Sequence, residues 1–149
     1  MFRYCKNLTS FTSDLSSLTD GNSMFYWCSN LTSFTSDLSS LTNGYSMFYN
    51  TNLESFDSNM SSLTNGYMMF YDCNHLTSFS SDLSSLTDGT GMFKSCSKLT
   101  TFSSDLSSLT NGTEMFSGSK LQTFNSSLPK LELGDNMFYG CSLSASSIL

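Results

Sequence analysis

The chain has 149 residues and a formal charge of −6, with six Lys+Arg against twelve Asp+Glu, so it presents no basic stripe and nucleic acid is excluded as an expected partner. Its apolar fraction of 38% is concentrated in Leu, Met and Phe on a Ser/Thr-rich background. No stretch approaches the roughly 20 apolar residues that span a bilayer, and no basic-then-apolar start resembles a secretory signal.

A unit of 22 or 23 residues accounts for nearly every apolar position, with leading leucines at Leu8, Leu31, Leu53, Leu76, Leu99 and Leu121. A unit this short cannot enclose a core alone, so its apolar side must be covered by the next copy and the copies must stack as a solenoid. The fold class expected is therefore mainly β: a leucine-rich-repeat-like solenoid of about six coils forming one elongated domain over residues 1–149. From each leading Leu to the Met of Met-Phe the spacing is 16 residues in all six copies. The return to the next Leu varies between 6 and 7, which marks a loop.

In chain order, each unit opens on Leu-Thr-Ser-Phe or a close variant, read as a short strand with Leu and Phe inward. Copies of that strand are expected to form a parallel ladder about 4.8 Å apart, so that six coils span roughly 25–30 Å. A second apolar pair follows, as in Leu15/Leu18, Leu38/Leu41 and Met60/Leu63, and lines the next wall. Asp20-Gly21, Asn43-Gly44, Asn65-Gly66, Asp88-Gly89 and Asn111-Gly112 then read as turns in which Gly takes positive φ and Asx bonds its own backbone; the sixth copy has Leu133-Gly134 instead. Met24, Phe25 and Cys28, at i, i+1 and i+4, predict a single helical turn burying thioether, ring and thiol.

Cys5, Cys28, Cys73, Cys96 and Cys141 share one position of the unit, where other copies carry Thr51 and Ser119. Substitution by small residues favours a structural ladder of buried thiols. The alternative is a disulfide between adjacent coils, Cys5 to Cys28 or Cys73 to Cys96, whose Cα atoms would stack about 5 Å apart. Five cysteines leave one unpaired either way.

The ends are in phase with the repeat. Met1-Phe2-Arg3-Tyr4-Cys5 occupies the register of Met24–Cys28, and Cys141-Ser142-Leu143 opens another coil that runs to Ile148-Leu149. Solenoids shield their terminal apolar faces with capping units, so caps, export signal or anchor are expected outside this sequence, or another chain is expected to cover the ends.

Met24-Phe25-Tyr26-Trp27-Cys28-Ser29-Asn30-Leu31-Thr32-Ser33-Phe34 carries the pattern Met-Phe-x-x-Cys-x-x-Leu-x-x-Phe, met in full from Met1, Met24, Met69 and Met92. This pattern resembles the BspA-like bacterial surface-protein repeats, relatives of the treponemal-type leucine-rich repeat, over essentially the whole chain. The resemblance implies a right-handed solenoid in exported, cell-surface proteins that often act in adhesion. Similar arrays also look like parts of phage or gut-symbiont surface appendages.

With Leu and Phe inward, the positions after each leading Leu should face solvent on a presumed concave sheet: Thr9, Thr32, Glu54, Thr77, Thr100 and Gln122. Thr12, Thr35, Asp57, Ser80, Ser103 and Asn125 follow three residues on. A hydroxyl-rich ladder offers many weak donors and acceptors suited to a glycan or protein backbone; the alternative is a solvated face with no ligand. Glu54 and Asp57 interrupt the threonine rank and argue against ice binding.

Asp14, Asp37, Asn59, Asp82 and Asp105 form another rank. Stacked carboxylates repel unless bridged or hydrogen-bonded. They are weak Ca²⁺ candidates, set against the commoner reading in which each accepts nearby backbone N–H groups. The third copy departs most, through Glu54, Asp57, Asn59, Met60, Tyr67, Met68, Asp72 and His75, either as a binding patch or as drift of tolerant positions. Tyr26, Tyr49, Tyr71 and Tyr139 are candidate aromatics for sugar stacking, or are partly buried beside the Met-Phe turn.

His75 is the sole histidine, the carboxylates are dispersed by the repeat, and no Gly-rich phosphate loop follows a strand, so neither an enzyme nor a cofactor is expected. The expected function is an extracellular or cell-surface module that binds a host protein or glycan. The alternative is a spacer or fibre-forming segment that associates through its ends.

Overall fold

The computed structural model describes residues 1–144. They form stacked coils, numbered here from the leading leucines Leu8 (coil 1) to Leu121 (coil 6), and Ile148-Leu149 lie outside the described residues. Each coil contributes one two-residue strand: β1 Ser10–Phe11, β2 Ser33–Phe34, β3 Ser55–Phe56, β4 Ser78–Phe79, β5 Thr101–Phe102 and β6 Thr123–Phe124. The leading Leu and the strand Phe are buried in coils 2 to 6 while the residues between them face outward, except half-exposed Thr100 and Thr123. That alternation is what a strand with one inward face requires.

The expected ladder at Leu-Thr-Ser-Phe is interrupted. Strands pair in parallel and in register as β1 with β2, β3 with β4, and β5 with β6, with Phe opposite Phe in every pair. Return length does not decide which junctions pair: a six-residue return precedes both β3, unpaired with β2, and β6, paired with β5. The uninterrupted ladder runs along another wall, through parallel bridges Asp20↔Asn43↔Asn65↔Asp88↔Asn111↔Leu133. Threonine supports it twice over. Thr42, Thr64, Thr87 and Thr110 each donate both N–H and Oγ1–H to the carbonyl of the preceding coil's threonine, at 3.0–3.1 Å.

The Met-Phe-x-x-Cys wall contains no helix. In coil 1, Met24, Tyr26 and Cys28 donate to residues three earlier, whereas Gly21, Ser23, Phe25 and Trp27 donate to the next coil's Asn43, Tyr45, Met47 and Tyr49. Every second N–H is thus committed to a neighbouring coil, which leaves no continuous i−4 ladder for a helix. Ser23 at φ 52° and Trp27 at φ 58° lie in the left-handed region, which also breaks an α-helical run. The equivalent of Ser23 is Gly91 in coil 4, and the equivalents of Trp27 are Gly118 and Gly140.

The glycine after Asx has a different role from the one its turn dipeptide suggests. None of Gly21, Gly44, Gly66, Gly89 and Gly112 has positive φ. A Cβ on Gly44 would lie 2.6 Å from Sδ of Met69 in the next coil, so glycine is required by close approach of the stacked coils. The Asx half is as expected: Oδ1 of Asp20, Asn43, Asn65, Asp88 and Asn111 each accepts the N–H two residues on, at 2.9–3.2 Å.

Two ranks of phenylalanine fill the interior. Phe2, Phe25, Phe48, Phe70, Phe93, Phe116 and Phe138 stack coil on coil at 5.4–5.7 Å between centroids. Phe11, Phe34, Phe56, Phe79, Phe102 and Phe124 stack beside them at 5.7–6.0 Å. Contacts between the ranks are mostly edge to face, as at Phe56 and Phe70, 4.8 Å apart at 68°. Offset parallel contacts within a rank and T-shaped contacts across ranks both suit the ring quadrupole.

Candidate functional site

The polar strand face has the placement expected of it. Thr9, Thr32, Glu54, Thr77 and Gln122 are exposed and Thr100 is half-exposed; Thr12, Thr35, Asp57, Ser80, Ser103 and Asn125 are all exposed. Two of the hydroxyls are spent on the fold. Thr32 Oγ1 donates to the Thr9 carbonyl at 3.2 Å, and Thr77 Oγ1 to the Glu54 carbonyl at 3.0 Å. Their lone pairs remain as acceptors toward solvent.

The aspartate rank sits beside this face and caps turns. Oδ1 of Asp14, Asp37, Asn59, Asp82 and Asp105 accepts the N–H of Ser16, Ser39, Ser61, Ser84 and Ser107, at 2.8–3.1 Å. Asp37 also accepts the Ser39 hydroxyl at 2.9 Å. Hydrogen bonding from Ser16, its hydroxyl and then its backbone N–H, holds the Asp14 carboxyl below the usual carboxylate range. Among the described residues no three His, Cys, Asp or Glu side chains come together as a metal would need. An open hollow between coils 2 and 3 is lined by Thr35, Ser36, Asp37, Asp57, Ser58 and Asn59.

The variant third copy does not face one way. Glu54, Asp57, Asn59 and His75 are exposed, but Met60 is a core residue and Tyr67, Met68 and Asp72 are half-buried. Only part of that variation is therefore available to a ligand.

All five cysteines are free thiols. Cys28, Cys73, Cys96 and Cys141 each donate Sγ–H to the carbonyl of Phe2, Phe48, Phe70 and Phe116 respectively, at 2.8–3.2 Å. Thr51 and Ser119, standing where the thiol is absent, meet Cys73 and Cys141 of the next coil at 3.4 and 3.3 Å. Burial pushes the Cys73 thiol up to about 11 and raises Cys96 well above its ordinary value. These groups are protonated packing elements with little nucleophilic character.

Tyr26, Tyr49 and Tyr71 are half-buried beside the Met-Phe turn, one of the two readings the sequence offered, but sequence reasoning missed that they stack on one another and that Tyr45 and Tyr67 form a second stack. Tyr26, Tyr49 and Tyr71 stack at 4.8 and 4.7 Å, bracketed by Arg3 over Tyr26 and Lys94 over Tyr71. Tyr45 and Tyr67 stack at 4.8 Å. Tyr49 and Tyr71, and Tyr45 and Tyr67, lie nearly parallel at 2° and 9°, while Tyr26 is tilted by 32° against Tyr49. Burial, followed by the neighbouring Tyr71, Tyr26 and Asp72, raises the Tyr49 phenol. The 22–23-residue recurrence of Tyr at these positions was the available signal.

No described helix is long and apolar enough to cross a membrane. A family model described as BspA type leucine rich repeat region matches residues 21–145 in six copies. No curated protein and no solved structure matches the chain.

Proposed function

Because this chain belongs to the BspA-type leucine-rich repeat family, we propose that it is a surface-exposed binding or adhesion module that engages a protein or glycan through its outward strand face. The observation that carries this reading is the register of that face. Paired strands bring Ser10 opposite Ser33 and Ser55 opposite Ser78, so Thr9 is followed by Thr32, and Glu54 by Thr77, at one coil spacing within each pair. An extended ligand with its own repeat can then make the same weak contact several times, and contacts on a rigid scaffold add without further ordering cost. Glu54, Asp57 and Gln122 distinguish individual coils and supply what selectivity the face has. Membership in a family consistent with adhesion supports the same role and an extracellular or cell-surface location.

The test is a glycan and mucin binding panel comparing the chain with a Glu54→Thr/Asp57→Thr variant. Both residues are exposed, so the substitutions leave the core intact. Binding by the parent and weaker binding by the variant support the reading; no binding by either removes it. A second reading, a structural spacer or fibre-forming segment, is favoured by the directional backbone bonding from each coil to the next. Sedimentation over a concentration series separates the two: a strictly monomeric chain counts against end-to-end assembly.

A further inference from the structure

Three coils of the uninterrupted ladder carry Asn-Gly: Asn43-Gly44, Asn65-Gly66 and Asn111-Gly112. Asn-Gly is the dipeptide most open to spontaneous deamidation, because a residue without a side chain leaves its own nitrogen free to attack the preceding carboxamide. The glycine nitrogen forms a bond to Asn Cγ, the Cγ–NH2 bond breaks, and ammonia leaves with the proton that the glycine nitrogen gives up. Water then opens the cyclic imide at either carbonyl, giving aspartate or isoaspartate.

Each participant in that reaction is tied down here. The Gly44, Gly66 and Gly112 N–H groups donate to the next coil's Asn65, Asp88 and Leu133 carbonyls at 2.7–2.8 Å. The Asn43, Asn65 and Asn111 N–H groups donate to the preceding coil's threonine carbonyls at 3.0–3.1 Å. The carboxamide oxygens are held by the N–H groups of Tyr45, Tyr67 and Thr113 at 3.0–3.2 Å, and Asn43 Nδ2 donates to Asp20 at 2.9 Å. Attack would require the glycine nitrogen to lose its inter-coil bond and the carboxamide to rotate off its own.

We propose that Asn43, Asn65 and Asn111 are latent deamidation sites kept unreactive by coil-to-coil hydrogen bonding, and that Asn111 is the least guarded. Asn111 depends on coil 6, where Leu133 is 54% exposed and Gly134 is open, whereas Asn43 and Asn65 depend on coils with buried neighbours. The two products differ in consequence. Aspartate already occupies this position at Asp20 and Asp88, which make the same side-chain bond to Asn22 and Thr90. Isoaspartate adds a methylene to the main chain, so reaction at Asn111 would irreversibly break the bridge Asn111↔Leu133 and loosen this wall of coil 6, which stays held by the β5–β6 pair and the Phe116–Phe138 stack.

The experiment is incubation of the full chain in mildly alkaline buffer, folded and urea-unfolded, with site-by-site conversion followed by peptide mass spectrometry. Since reaction requires local opening, conversion of Asn43 and Asn65 in the folded chain is expected to be on the order of a hundredfold slower than in urea, with Asn111 intermediate. Met137→Ala, which empties the space beside Gly112 in coil 6, is expected to accelerate Asn111 alone. Equal rates at Asn43 and Asn65 in folded and unfolded chain overturn the proposal. So does an Asn111 rate no faster than theirs, or one unmoved by Met137→Ala. Should Met137→Ala unfold the whole chain, the parent comparison decides.

Discussion

Close approach of successive coils at the Asx-Gly wall makes a sharp prediction for Gly44→Ala. The new Cβ would fall 2.6 Å from Met69 Sδ, 3.1 Å from Met69 Cε and 3.2 Å from Leu63 Cδ1. Met69 and Leu63 are both fully buried, so the thioether must move within a packed interior. Overpacking of this kind costs about 1–3 kcal/mol. Methionine is the most adaptable core side chain, and alanine restricts the unfolded chain by about 0.4–1 kcal/mol in the other direction, so a net loss of about 1 kcal/mol is expected. Two controls isolate the cause. Gly134→Ala, whose Cβ would meet half-buried Leu131 at 3.1 and 3.9 Å and no other described residue, should be close to neutral. Met69→Ala alone should cost about 2–5 kcal/mol through its cavity, but combined with Gly44→Ala the losses should fall short of additive by about 0.5 kcal/mol or more. Urea unfolding followed by circular dichroism reads all four. Strict additivity, or equal cost for Gly44→Ala and Gly134→Ala, would refute the assignment of glycine to coil approach.

Phe70→Ala should cost about 3–5 kcal/mol in a urea titration, because Phe70 is stacked between Phe48 and Phe93 and touches Phe56 and Phe79 edge to face. Phe138→Ala, half-buried in the last coil, should cost clearly less. The Cys73 thiol is raised from 9.0 to about 11, so the folded state holds its proton more tightly. Its contribution is complete below about pH 9 and is lost as pH rises toward about 11; a double Cys73→Ser/Cys96→Ser variant should flatten this alkaline slope in thermal melts. Ser46, at φ 49°, occupies a conformation that glycine adopts freely, so Ser46→Gly should be neutral or stabilising by up to about 1 kcal/mol, while Gly118→Ala at φ 73° should destabilise.

Period and facing were legible because both are properties of the local pattern. Leu31, Phe34, Leu38, Leu41, Met47 and Phe48 read as inward from spacing, and all are buried. The aspartate turns were legible for the same reason, since Asp37 bonds a group two residues away. What escaped depends on residues about 22 apart. Gly21 looked like a positive-φ turn residue, but the atom that demands glycine there is Met47 Sδ of the following coil. Met24-Phe25-Tyr26-Trp27-Cys28 has helical spacing, yet alternate N–H groups pair across coils. The clue lay in Gly91, Gly118 and Gly140, which mark the left-handed positions occupied elsewhere by Ser23 and Trp27. On the candidate face, exposure was readable, whereas the spending of the Thr32 and Thr77 hydroxyls on neighbouring carbonyls was not.

Amide hydrogen exchange tests coil-on-coil stacking most directly. The Gly44, Phe48, Gly66, Phe70, Gly89 and Phe93 N–H groups each donate to the following coil at 2.8–2.9 Å. Slow exchange at all six, with protection declining toward Gly112 and Phe116 next to coil 6, is the result expected of a stacked array whose outer coil frays. Exchange at these amides as fast as in the urea-unfolded chain would mean that the coils do not rest on one another.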